Sequence, residues 1–204
     1  MKALRPLCTM VIALFSIGNA PAQLIPYAGF SVGYASSQLT LNPANNLTTE
    51  ALPSFAIGAQ MQWLDNPIIG MSTDVDYWRA GAVVNDASLH LNQLSFAQQL
   101  ILYIPLVSKK WEWYLSGGPQ MNYLLEHTNG RGPANLNLRD EGYEDWVFGW
   151  RFGTGVDYVF RKFKIFFTAE YLLDSKERYQ VSAPQARSFK SSSLLFSLGY
   201  LYEL

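Results

Sequence analysis

The last sixteen residues, FKSSSLLFSLGYLYEL, place an apolar or aromatic side chain at every second position: Leu194, Phe196, Leu198, Tyr200, Tyr202 and Leu204. Between them stand Ser193, Leu195, Ser197, Gly199, Leu201 and Glu203, mostly small or polar. Successive side chains of a strand point to opposite faces, so the pattern predicts a β-strand with one greasy face, running to the chain terminus. Such an ending suits a barrel closed within a membrane, where the last strand pairs with the first and leaves no unpaired edge in lipid.

The start of the chain agrees. Lys2 and Arg5 precede an apolar run over 7–17 and a small-residue stretch with Ala20 and Ala22 in A-x-A spacing. This predicts a secretory signal peptide over 1–22 and one domain over 23–204. The apolar run is shorter than the roughly 20 residues a membrane helix needs. Cys8, the only cysteine, falls inside the leader, which leaves the mature chain without disulfide or thiolate chemistry. Without Lys2 and Arg5 the 15 basic residues become 13 against 16 acidic ones, a net charge of −3. No basic stripe points to nucleic acid.

Charged residues make up 15% of the chain and aromatics another 15%, whereas a typical soluble domain is roughly 25% charged. The mature chain has no apolar run long enough for a membrane helix, so a membrane reading has to be a β one. Eight alternating segments are expected, over about 25–37, 54–64, 68–78, 91–104, 111–125, 146–160, 163–174 and 189–204. Three connections are short: Asp65-Asn66-Pro67, the turn at Lys109-Lys110, and Arg161-Lys162. The other four, about 38–53, 79–90, 126–145 and 175–188, are long and polar.

Alternation of short turns and long loops is the plan of an outer-membrane barrel, with turns and both termini in the periplasm. The competing fold is a soluble eight-stranded barrel with its apolar face inside. Its solvent face would be rich in Lys and Glu, but the polar face here is Gly, Ser, Ala, Thr and Gln, suited to a narrow lumen. Aromatics also gather at segment ends: Trp63, Trp111, Trp113, Phe160, Phe163, Tyr200 and Tyr202 near the turns, and Tyr34, Tyr77, Tyr123, Trp146 and Tyr171 near the loops. Two such girdles mark the two lipid interfaces. The expected fold is an all-β, eight-stranded antiparallel up-and-down transmembrane barrel in contact with outer-membrane lipid.

The stretch LILYIPLVSKKWEWYLSGGPQMNYLL resembles the strand-turn-strand core of the Bacteroidota-type outer-membrane β-barrel domain, the PorT-like group. The matching elements are Ile104-Pro105-Leu106, Lys109-Lys110 and Gly117-Gly118; WRFGTGVDYVF, with Gly153, Gly155 and Tyr158, and the closing SLGYLYEL are similar to its later strands. The resemblance implies a barrel, an outer-membrane location and delivery by the barrel-assembly machinery. It implies no reaction. The C-terminal assembly signal would comprise Phe196, Leu198, Tyr200, Tyr202 and Leu204, although such signals usually end in an aromatic residue and this one ends in Leu204.

Seven charges fall on the predicted inward face: Asp74, Asp76, Glu112, Arg151, Asp157, Lys164 and Glu170. Isolated buried charges cost several kcal/mol, so in a narrow barrel they must pair or be hydrated. Glu112, Arg151, Asp157, Lys164 and Glu170 lie on sequential strands and are expected to form one network around the two cations, plugging the lumen. A proton or small-ion path is the sharper alternative. His90 and His127, with Glu126, Thr128 and Ser88 nearby, would be the catalytic candidates of a lipid A modifying enzyme, but there is no His-x-Ser pattern. Two histidines without cysteine make a poor metal set, and no cofactor is implied. Basic turns invite anionic headgroups equally with solvent. The loop at 126–145 includes Asp140, Glu141, Glu144 and Asp145, whose spacing fits no calcium loop, and such exposed loops are where a protein partner would bind. The function expected is a structural or surface-interaction role in the cell envelope or a secretion assembly, without catalysis.

Overall fold

A computed structural model of the chain describes residues 25–42, 49–64, 67–84, 87–104, 110–129, 145–175, 179–180 and 188–204. The expected leader at 1–22 and residues 130–144 of the longest loop lie outside them. Among the described residues there are nine strands: β1 Ile25–Asn42, β2 Thr49–Leu64, β3 Ile69–Val84, β4 Ala87–Ile104, β5 Trp111–Asn129, β6 Trp146–Phe160, β7 Phe163–Asp174, β8 Tyr179–Gln180 and β9 Ser188–Glu203. Eight of them form the barrel wall. The two-residue β8 adds to the outer end of β9.

Each wall strand pairs antiparallel with its neighbours in sequence, and β1 pairs with β9 from Tyr27↔Glu203 to Asn42↔Ser188, which closes the sheet. Stepping across the paired residues from Ile25 through Leu64, Gly70, Ile101, Ser116, Gly153, Glu170 and Leu195 returns to β1 at Ala35, ten residues further on. That stagger requires the strands to tilt across the barrel axis, and with eight strands it leaves a lumen only wide enough for side chains.

The faces follow the alternation. Phe30, Phe55, Leu100, Leu115, Phe148, Phe152, Phe167 and Leu198 point outward and are exposed, whereas Gln62, Ser72, Gln93, Gln99, Gln120, Arg151 and Lys164 are buried inside. This inverts a soluble barrel and excludes it, because an apolar exterior over a polar interior is stable only in lipid. Both girdles are present: Trp111, Trp113, Phe160, Tyr200 and Tyr202 are exposed at the turn end, as are Tyr34, Tyr77 and Tyr171 at the loop end. There, Tyr123 and Trp146 lie with ring centroids 4.4 Å apart.

β6 and β7 have the expected bounds, but most of the other strands are longer than the alternation indicated. The expected loop at 79–90 is a continuing hairpin in which Arg79–Val84 pairs with 87–92, and only residues 85 and 86 separate the strands. Likewise β1 runs on to Asn42, β2 starts at Thr49, β5 reaches Asn129 and β9 begins at Ser188. The wall strands have 12 to 19 residues, more than the roughly 9–11 that cross a bilayer. Beyond the girdle the outer face meets water instead of lipid and need not be apolar, so the ladder continues after the alternation that would announce it has stopped.

Pro53 interrupts the β2–β3 ladder between Ala51 and Ala56, as expected of a residue without an N–H. Side chains bridge the interruption. Ser54 Oγ donates to the Arg79 carbonyl at 2.6 Å, and Ser37 Oγ, from β1, accepts from Gly81 N–H at 2.8 Å and donates to the Gly81 carbonyl at 3.0 Å.

Glycines permit the closing seam. A Cβ on Gly29 would run into the Tyr200 carbonyl of β9, and one on Gly199 would meet the Phe30 carbonyl and the Phe166 ring. Gly29→Val therefore forces β1 and β9 apart. The expected outcome is loss of the folded, heat-modifiable band on cold gel electrophoresis, while Ala28→Val, on the lipid face, leaves that band intact.

Candidate functional site

The buried, chemically capable side chains of the described residues lie in the lumen. At the turn end, Lys164 enters the barrel from the second position of β7 and is 1% exposed. Its Nζ donates to Glu112 at 2.8 Å and to Asp157 at 3.4 Å, and lies 4.9 Å from the Tyr27 ring centroid and 5.1 Å from that of Tyr103. A cation between two ring faces and two carboxylates is stabilised by both, the more so away from water. Tyr103 donates its hydroxyl to Asp157 at 3.3 Å and accepts from Gln62 Nε2 at 2.6 Å. Two apolar clusters close this end, Tyr27 with Phe166 and Leu201, and Ile101 with Tyr103 and Tyr114; Leu64 packs against both.

Deeper in the barrel Arg151, also 1% exposed, holds Asp76 at 2.7 Å and stands 3.9 Å from Glu170. Gln99 bridges this group, its Nε2 donating to Glu170 at 2.9 Å and to Asp74 at 3.0 Å, while Ser72 Oγ donates to Asp74 at 2.9 Å. A cavity of about 20 Å³ adjoins Asp74, Asp76, Arg151, Thr168 and Glu170, room for about one water. Arg151 Nε and Thr168 Oγ1 have no protein hydrogen-bond partner. Towards the loops the lumen is occupied by fully buried Trp78, Leu91, Leu124 and Leu195, and Asn122 Nδ2 donates to Asp174 at 3.1 Å.

Six of the seven predicted inward charges are buried, and the seventh, Glu112, lies on the same inward alternation at the turn-end mouth with its side chain 37% exposed. They gather around two cations: Glu112 and Asp157 at Lys164, and Asp76 and Glu170 at Arg151 with Asp74 tied in through Gln99. The single five-residue network expected from strand order is instead divided between two levels, because Lys164 pairs with Val159 of β6, eight residues along that strand from Arg151. Five carboxylates face two cations, and neutral donors Gln99, Ser72 and Tyr103 supply the remaining hydrogen bonds. These neutral partners, with the Tyr27 ring, carry no charge to mark them in the sequence. Their only signal is that Gln62, Gln99 and Tyr103 occupy the inward positions of otherwise lipid-facing strands.

The expected assembly-signal residues Phe196, Leu198, Tyr200, Tyr202 and Leu204 all face outward and are exposed. Leu204 N–H reaches the Pro26 carbonyl at 3.0 Å, anchoring the terminus to β1. His90 lies four residues beyond Leu94, which pairs with the girdle residues Tyr77 and Tyr123. Burial, and then the Arg79 guanidinium, push the His90 imidazole below the ordinary histidine range. Backbone register sets Thr128 opposite His90 and His127 opposite Leu91. The side chains of Ser88, Glu126, His127 and Thr128, like residues Asp140, Glu141 and Glu144, are outside the described residues. Among the described residues no group of three His, Cys, Asp or Glu is arranged to hold a metal.

A sheet closed on itself, apolar outside, girdled twice and filled with paired charges is a transmembrane β-barrel of the outer-membrane type. The chain belongs to the outer membrane protein beta-barrel domain family, whose model matches residues 8–201. Its fold is similar to that of neisserial surface protein A, NspA, with a TM-score of 0.57 at 13% identity over 88% of this chain and 97% of that one. It is also similar to the outer membrane protein OprG from Pseudomonas aeruginosa, with a TM-score of 0.55 at 14% identity over 89% of this chain and 95% of that one. At such identities the likeness is one of fold. By sequence no curated protein matches the chain.

Removing Arg151 leaves Asp76 and Glu170 buried without their cation. Arg151→Met should cost about 3–5 kcal/mol of folding stability, read from urea unfolding in vesicles by tryptophan fluorescence. The triple variant Arg151→Met, Asp76→Asn, Glu170→Gln should recover most of it. Equal losses in both variants would show that Arg151 matters through its volume and not its charge.

Proposed function

We propose that this chain is a plugged, non-conducting outer-membrane barrel, without enzymatic activity, that serves the cell envelope as a structural or surface-interaction protein. The observation that carries this reading is the filled lumen. Lys164 with two tyrosine rings at the turn end, the Arg151 cluster in the middle and Trp78 with Leu91 and Leu124 towards the loops occupy the cross-section at successive heights. Side chains tied to one another by ion pairs and hydrogen bonds make a poor path for solutes, and the carboxylates of the Arg151 cluster are engaged by Arg151, Gln99 and Ser72.

In this reading both termini and the short turns face the periplasm, the 1–22 leader is removed on export, and the barrel-assembly machinery receives the outward terminal strand. A protein partner would be met at the loop end, where the β3–β4 and β4–β5 ladders rise past the girdle. Within its family we group the chain with the PorT-like proteins, on the Ile104-Pro105-Leu106 and Gly117-Gly118 elements that flank the basic turn.

The surplus of carboxylates over cations favours one second reading, a narrow cation or proton path. Recordings in planar bilayers separate the two. The barrel is expected to give no steady openings, whereas cation-selective steps that disappear in Asp74→Asn would overturn the plugged reading. A mass shift in lipid A on expression, abolished by His127→Ala, would overturn the non-enzymatic one.

A further inference from the structure

The cations at the turn end are gathered on one sector of the barrel. Lys110 precedes β5, and Arg161 and Lys162 form the two-residue turn between β6 and β7; all three are exposed. The Val159 N–H donates to the Lys110 carbonyl at 2.8 Å, bringing the β4–β5 connection against the end of β6, two residues before Arg161. The Glu203 N–H donates to the Lys162 carbonyl at 2.8 Å and fixes the second turn to β9. The turn on the far side, between β2 and β3, carries Asp65 and no cation. The acidic neighbours Glu112 and Glu203 sit on the inward alternation of their strands, Glu112 on Lys164, and the Leu204 N–H is bonded to the Pro26 carbonyl of β1.

Arg161 adds an independent observation. Its φ of 53° lies in the left-handed region, the one described non-glycine residue there. Tight hairpin turns ordinarily fill that position with Gly, Asn or Asp. A long cation kept in a backbone conformation that disfavours it points to a use for the charge.

Directly on the lipid side of these cations the wall is aromatic. Trp111 packs edge-on against Tyr158 with ring centroids 4.8 Å apart, Phe160 lies 5.0 Å from Phe163, and Trp111 and Phe160 are exposed. Cations at headgroup height above a platform of rings match an amphiphile with an anionic head and acyl chains.

We propose that the outer surface of β5–β7 at the turn end is a binding site for an anionic glycerophospholipid, its phosphate held by Lys110, Arg161 and Lys162 and its acyl chains laid against Trp111 and Phe160. The site makes one sector of the barrel prefer anionic lipid, whatever the lumen does. It stands apart from the plugged-barrel reading.

The test uses the full barrel in phosphatidylcholine nanodiscs containing brominated phosphatidylglycerol or, separately, brominated phosphatidylcholine. The quenching lost in Trp111→Phe isolates the signal of that ring. Each cation near an anionic surface is worth roughly a fivefold preference, so the Trp111 signal should report phosphatidylglycerol over phosphatidylcholine by at least about tenfold. The preference should collapse towards unity in Lys110→Gln, Arg161→Asn, Lys162→Gln, in which asparagine suits the left-handed turn. In the unaltered protein it should also shrink between about 0.01 and 1 M salt, as the screening length falls from roughly 30 to 3 Å. Equal quenching by the two lipids, or a preference that survives the triple variant, would overturn the proposal. So would lipid A that displaces phosphatidylglycerol at equal mole fraction, since the phosphates recognised would then belong to lipopolysaccharide.

Discussion

In the hydrocarbon of a bilayer no water is present to bond a backbone N–H or C=O, and each one left unpaired costs several kcal/mol. The pairing of β1 with β9 meets this requirement for the whole molecule, because without it two strands would present open edges to lipid. Much of the rest follows from that closure. Gly29 and Gly199 appear where the two strands approach too closely for a Cβ, and Leu204 ties its N–H back to Pro26. Where Pro53 breaks the ladder, near the loop end, Ser37 and Ser54 supply hydrogen bonds to the partner strand.

Closure at eight strands with a ten-residue stagger also creates the interior problem. The lumen is too narrow for bulk water and its walls are lined by charges, so each charge needs a partner within reach. Lys164 and Arg151 act as two anchors at different heights, and amide and hydroxyl side chains distribute the carboxylates between them. Cross-lumen bonds such as Gln99 to Glu170 join strands that are not neighbours in the sheet. The charges thus brace the cylinder as well as fill it, and a mid-lumen cavity sized for about one water is what remains.

The two ends of the barrel are built differently. Short turns at one end hold cations and aromatic rings close to the headgroup level, while at the other the ladders of β3, β4 and β5 continue past the girdle. A rigid sheet that projects beyond the membrane holds its loop tips away from the surface, a geometry suited to contact with other molecules. The residues that would define such contact, in 130–144 and at the histidine rim, are where chain pattern carries least information, since a polar loop has no periodicity to interpret.

Strand number, face assignment and both girdles were legible in the chain itself, because lipid imposes a local rule: every second residue of a crossing segment must be apolar, and aromatic residues settle at its ends. Leu198 and Ser197 reveal their faces without reference to any other strand. The inward position of all seven charges followed from the same rule. Which charges meet did not, because Arg151 reaches Asp76 across 75 positions only after tilt and stagger have set the heights of β3 and β6. The hairpin at 79–90 was illegible for the complementary reason, as outside the bilayer no lipid demands an apolar outer face and the ladder leaves no alternation in the pattern. Alternation determined that this chain is a membrane barrel and which way each side chain points. Only the closed tertiary structure, through a register shared by all eight strands, decided how the lumen is plugged and which turns come to lie side by side.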